Sequence, residues 1–194
     1  MAVDYPNWFA EIAQANFEEF LKPAFEKAPN LCLLQLGVFT GDASLWIAQN
    51  ILGDSTSWLY DVDTWEGAAN EPAQEVMDFK DVYETYLNKI RGYDKVVHFK
   101  SQSVEFLINY TRYIKFDFIY VDAHHTSASA LLDSELSWRV LKPNGILAID
   151  DYLWEHPNNN PIHAPKLGIE MFLDRHEGEF DLLAMNSQVW IKKK

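Results

Sequence analysis

LCLLQLGVFTG, residues 31–41, decides how this chain is read: an apolar run breaks into two glycines four residues apart, and a helical pattern follows. Strand, tight turn and helix is the expectation. Glycine lets the backbone turn sharply or approach a ligand closely, and the first turn of the next helix leaves N–H groups unpaired. Taken alone, the motif fits both a nucleotide-like ligand and an ordinary strand-to-helix turn.

Working outward, Trp8, Phe9, Ile12, Ala13, Phe17, Phe20 and Leu21 recur at helical spacing before Pro23 and Pro29. Residues 1–30 are therefore read as an N-terminal helical cap, and 31–194 as the core of a single domain. After the glycines, Ala43 to Leu52 form a helix ending at Gly53, followed by a strand from Ser57 to about Asp63. Residues 66–75 are polar and read as a loop. The apolar face of 76–90 is a helix stopped by Gly92, and Val96–Lys100 is a strand. Ser103–Tyr113 is helical and Phe116–Val121 is the most apolar strand. A helix capped by Thr126 or Ser127 ends in the turn Lys142-Pro143-Asn144-Gly145, from which the strand Ile146–Asp150 emerges. Residues 152–165, rich in Pro, Asn and His, form an unusually long loop, and such loops often carry function. A helix near Gly168–His176 and two strands, Phe180–Ala184 and Val189–Lys193, close the chain as an antiparallel hairpin.

Composition narrows the partners. The 194 residues carry a net charge of −13, so the surface repels phosphate backbones and anionic membranes, and neither nucleic acid nor membrane is an expected partner. There is no signal-peptide pattern and no bilayer-length apolar run, which points to a cytoplasmic protein. The single cysteine, Cys32, lies inside the first strand, where a small buried residue is the simpler reading than a nucleophile. Self-association is left open.

Alternating strands and helices imply an α/β, doubly wound, mostly parallel sheet with helices on both faces, which binds ligands beyond the carboxyl ends of its strands. Those ends are polar here: Gln35 to Gly41, Asp61 and Asp63, Gln102 and Ser103, Asp122 to His125, and Asp150 with Asp151. An acidic residue after the second strand suits ribose hydroxyls, and alternation puts Asp61 and Asp63 on one face without choosing between them. Asp122, Asp150 and Asp151, on adjacent strand ends, could surround a hard divalent cation such as Mg²⁺. Helix capping and solvated turns are the plainer account of the same carboxylates. His124, His125, His156 and His163 keep zinc open.

LQLGVFTG, YDVDTWEG, FDFIYVDAHHT and LKPNGILAIDDY, in that order, make the chain from Leu31 onward resemble the class I S-adenosylmethionine-dependent methyltransferases, especially the catechol and TylF-type small-molecule O-methyltransferases. The resemblance implies a Rossmann-like, seven-stranded sheet with an antiparallel C-terminal hairpin, and methylation of a small hydroxylated acceptor. It implies a cofactor site of Gln35, Gly37, Phe39, Thr40, Gly41, Asp61, Asp63, Trp65, Gln102, Ser103 and Asp122. It also implies a metal site of Asp122, Asp150 and Asp151 holding Mg²⁺. Two positions depart from the pattern: Gln35 stands where an acidic residue is usual, and His125 where catechol methyltransferases carry lysine. As the proton acceptor, His125 is the first choice and His124 the second. Rival readings are a metal-dependent hydrolase using the same Asp and His residues, and a cofactor-binding domain without turnover.

Overall fold

A computed structural model describes residues 5–53, 56–67 and 77–194. Within it, β1 (Cys32–Leu36), β2 (Trp58–Asp63), β3 (Val96–Lys100), β4 (Phe116–Val121), β5 (Leu141–Ile149), β6 (Phe180–Met185) and β7 (Val189–Lys193) form one sheet in the order β3-β2-β1-β4-β5-β7-β6. The first five strands pair in parallel, while β7 is antiparallel to both β5 and β6. The order reverses between β1 and β4, which places a crevice at their carboxyl ends.

Strand alternation assigns the two layers. Leu33 of β1 faces one core, with Phe118 and Tyr120 of β4, the N-terminal helical run and the helices Asp42–Asn50 and Phe79–Lys89. Leu34 and Leu36 face the other, under the helices Ser103–Asn109, Ser127–Val140 and Lys166–Arg175. Phe17 is the knot of the first layer: its ring meets those of Trp46, Phe118, Tyr120 and Trp190 edge-on at 5.1 to 5.7 Å. Such aromatic pairs add to the transfer free energy of a buried phenyl ring.

Three boundaries differ from expectation. The N-terminal helix passes Pro23 and ends with the segment Lys22–Phe25; Phe9–Ala13 and Phe17–Leu21 are π-helical. The wider π turn before Pro23 shifts the backbone bonding where the prolyl ring would meet a carbonyl. The sequence's turn at residues 142–145 lies within β5, where the β4 pairing slips between Phe116 and Phe118 and Asn144 adopts φ 64°. The Ser103 helix stops at Asn109. Most of the loop over 66–75, together with Val76, lies outside the described residues.

Candidate active site

A cavity of about 560 Å³ opens at the carboxyl edge of the sheet. Its walls come from Gly37–Phe39 after β1, Asp63–Gly67 after β2, Ser101–Val104 after β3, Tyr120 and Asp122–His125 at the end of β4, and Asp150, Asp151 and Trp154 after β5, with Trp8, Phe9 and Ile12 of the N-terminal helix across from them.

At one end the glycine turn and Asp63 make a unit. Asp63 Oδ2 accepts from the backbone N–H groups of Val38 (2.7 Å) and Phe39 (3.0 Å), and Oδ1 accepts from that of Trp65 (2.7 Å). A carboxylate offers about four acceptor positions, so one remains for a ligand hydroxyl. Gly37 has φ +81°, and a Cβ there would lie 1.7 Å from the Asp122 carbonyl oxygen, so the turn packs directly on the chain leaving β4. Phe39 and Trp65 also adopt positive φ, and the Trp65 indole N–H donates to the Phe39 carbonyl (3.0 Å). Trp65 is thereby buried against Tyr83 and Tyr86 while still lining the cavity. Gln102 and Ser103 close this end, Ser103 Oγ donating to Asp133 Oδ1 at 2.8 Å.

The other end is acidic. His125 Nε2 lies 2.8 Å from Asp151 Oδ2 and 3.9 Å from Asp122 Oδ1. One donor atom from each of Asp122, His125 and Asp151 falls within 4.8 Å of the others. Burial holds the Asp122 carboxyl well above the usual carboxylate range, Asp150 and Asp151 push it further, and His125 pulls it down. Asp150 is raised to about 6 by burial and by Asp151, against the hydrogen bonds of Tyr120, Gln188 and the Asp151 backbone. Trp154 packs on the His125 ring at 5.2 Å.

Several expected site residues lie elsewhere. Gln35 is buried behind the glycine turn, its Nε2 donating to the Gly37 carbonyl and its Oε1 accepting from Ser44 Oγ, so it braces the turn without facing the cavity. Thr40 and Gly41 also lie outside the cavity lining: Thr40 accepts from Lys89 Nζ and donates to Asp42, and Gly41 packs against the Tyr86 ring. Asp61 is fully buried beneath the cavity, where Tyr86 OH donates to its Oδ2 (2.9 Å). Asp61 and Asp63 share a strand face, but only Asp63 is far enough along β2 to clear the covering helix. Asp150 stands apart from the trio that could hold a metal, turned toward the protein interior: Oδ2 accepts from Tyr120 OH and Gln188 Nε2, and Oδ1 from the Asp151 N–H. His125 takes its place in the trio. Phe39, Asp63, Trp65, Gln102, Ser103, Asp122, His124 and Asp151 all line the cavity.

Tyr120 and Gln188 were missed in the sequence. Tyr120 is a hydroxyl near the carboxyl end of β4, two residues before Asp122 and therefore on its face, which is the local signal for it. Nothing local marks Gln188.

The methyltransferase-domain family profile matches residues 34–152. The chain belongs to the methyltransferase-domain family. That stretch, well over half of the chain, runs from β1 through Tyr152 and contains every strand end that lines the cavity. No curated protein matches the sequence. Among solved structures, the O-methyltransferase from Bacillus cereus in complex with SAH superposes with a TM-score of 0.62 at 16% identity, covering 98% of this chain and 93% of that one. The O-methyltransferase TomG from Streptomyces achromogenes, in complex with SAM, gives 0.64 at 14% identity over 100% and 93%. The methyltransferase MycE of mycinamycin biosynthesis, in complex with Mg, SAH and mycinamycin VI, gives 0.60 at 14% identity over 98% of this chain and half (50%) of its own. These likenesses establish the Rossmann-like class I methyltransferase fold, and the antiparallel closing hairpin belongs to it. No helix among the described residues is long and apolar enough to cross a membrane.

Proposed function

We propose that this methyltransferase binds S-adenosylmethionine at the Gly37–Asp63–Trp65 end of the cavity and methylates a hydroxyl of a small acceptor at the Asp122–His125–Asp151 end. The observation that carries the reading is the family match over a segment whose strand ends surround one cavity with two chemically different ends. The similar structures named with SAM, SAH and Mg support the choice of cofactor and of a divalent cation. The family match also favours methyl transfer over hydrolysis by the same acidic residues. The acidic chain favours a small molecule over nucleic acid as acceptor.

In this reading Gly37, by having no side chain, lets the turn close onto the chain leaving β4 and so forms the cofactor end of the cavity, and the remaining acceptor position of Asp63 takes a ribose hydroxyl. Gln102 and Ser103 flank the adenine. S-adenosylmethionine supplies an activated methyl group, and transfer needs the acceptor oxygen held in line with it and relieved of its proton. Two carboxylates suit Mg²⁺ or Mn²⁺, the added imidazole is better matched to Mn²⁺, and the Asp122 carboxyl, raised first by burial and then by Asp150 and Asp151, is one that a cation would help to ionise. A divalent ion there would act as Lewis acid and template for the hydroxyl. With His125 held by Asp151, the rim residue His124 is assigned the proton, and His125 a ligand role. Trp8, Phe9, Ile12 and Trp154 wall the acceptor.

Calorimetry with SAH tests the reading directly. Binding at micromolar to submillimolar cofactor is expected; no heat at about 1 mM would sink it, since about 4 kcal/mol or less would then remain for recognition. Cofactor binding with identical activity in chelator would remove the metal alone.

A further inference from the structure

The turn joining β6 to β7 lies outside the cavity lining, yet its residues hold two of the cavity's walls. Gln188 is completely buried. Its Oε1 accepts from Trp190 Nε1 at 2.8 Å and from Asn16 Nδ2 at 2.8 Å. An indole N–H can only donate, so it fixes which end of the amide is oxygen. The amide nitrogen is then directed to Asp150 Oδ2 (2.8 Å) and the Tyr120 hydroxyl (3.3 Å). On the other side, Asn16 belongs to the same helical run as Trp8, Phe9 and Ile12, and it exchanges hydrogen bonds with Asn186 at 3.0 and 3.1 Å. Between the two amides, the Ser187 carbonyl accepts from the Tyr152 N–H (2.9 Å), two residues beyond Asp150.

We propose that Gln188 is a positioning residue that locks the N-terminal helix to the Tyr120–Asp150 floor, so that the wall bearing Trp8, Phe9 and Ile12 and the acidic end of the cavity move as one unit. The chain of contacts is continuous and nearly waterproof: Asn16 is 5% exposed, Tyr120 2%, Asp150 8% and Gln188 0%. A buried amide that satisfies donors and acceptors on two elements leaves an orphaned polar atom if either element shifts, which makes the separated state costly. The glycine turn and Asp63 are bonded to each other and make none of these hydrogen bonds; the turn meets the wall and the floor by packing, Phe39 stacking on Trp8 at 4.9 Å and Gly37 lying against the Asp122 backbone. The proposal rests on the proposed function only in naming the acidic end as the acceptor's.

Hydrogen exchange followed by mass spectrometry on Asn16→Leu tests it, because Asn16 lies outside the cavity lining and reaches Asp150 through Gln188. Exchange is expected to quicken about tenfold over residues 9–21 and, at the far end of the network, over 151–154, while 96–100, on the opposite edge of the sheet, keep wild-type rates. Quickening confined to 9–21 would overturn the proposal, because the helix would then move alone. Uniform quickening, including 96–100, would also overturn it, because Asn16 would then support the whole fold. Should Asn16→Leu not fold, Asn16→Asp keeps the size and the bond from Asn186 while opposing the Gln188 oxygen with a carboxylate, and the same pattern decides. Calorimetry of wild-type protein with SAH tests the cofactor reading separately, and its failure would leave the exchange result standing.

Discussion

Replacing Asp61 with asparagine should stabilise the protein at and above neutral pH and flatten its pH dependence. Asp61 sits under the cavity with no exposed surface, and its Oδ1 has no hydrogen-bond partner among the described residues. Burial raises its carboxyl to about 7 from 3.8, with Asp63 adding to the effect and the hydroxyls of Ser44 and Tyr86 opposing it. Below about pH 4 the carboxyl is protonated in both folded and unfolded chains. Between there and about pH 7 the native state keeps a proton that the unfolded chain has released, so stability falls as pH rises through that window. At 1.36 kcal/mol per pH unit, the loss reaches about 4 kcal/mol by about pH 8. Asparagine stays neutral, and its Oδ1 can still accept from the Tyr86 hydroxyl. Urea unfolding of wild type and variant from about pH 5 to about pH 8 should show the variant gaining on the wild type by about 2 to 4 kcal/mol across the series. Parallel curves would refute the reasoning, since they would mean that Asp61 does not change protonation on unfolding in this range. SAH affinity should stay within about threefold of wild type, because Asp61 lies outside the cavity lining.

Asp63→Asn should weaken SAH binding at least about 100-fold by calorimetry, because the amide NH₂ would face backbone N–H groups that the carboxylate now accepts. Gly37→Ala should cost about 3 kcal/mol or more in chemical denaturation, since its Cβ would meet the Asp122 carbonyl and the residue holds positive φ. His125→Ala and Asp151→Asn should each weaken Mn²⁺ binding at least about tenfold, read by paramagnetic resonance, with SAH binding retained. Equal Mn²⁺ affinity in these variants would place the cation elsewhere. Phe17→Ala should destabilise the fold by about 3 to 5 kcal/mol in urea, since its ring is enclosed by five other aromatic rings, Phe9 among them.

Much of the cavity could be read locally. The glycine turn and the polar tips at Asp63, Gln102, Asp122 and Asp151 follow from patterns a few residues long and line the cavity where the strand ends converge; the closing hairpin, equally local in pattern, pairs as expected beside it. Gln35, Thr40, Gly41 and Asp61 lie outside the cavity lining for one reason: they neighbour residues that do line it, and sequence proximity does not say how deep a side chain sits under a covering helix. The exchange of Asp150 for His125 in the acidic trio has a different cause. Asp151 adopts φ 60°, turning the chain so that its carboxylate swings to His125 while Asp150 stays beneath with Tyr120 and Gln188.

By itself, the sequence determined the alternation of apolar strands and amphipathic helices and hence the parallel α/β sheet, because period-two and helical periodicities are set by which face each segment must bury. It also put carboxylates and histidines at the strand ends. Only the tertiary structure decided which of them meet. The network through Asn16, Gln188, Tyr120 and Asp150 joins residues up to 172 positions apart, and the register that brings them together is fixed by the packing of the sheet and its covering helix, not by any local pattern.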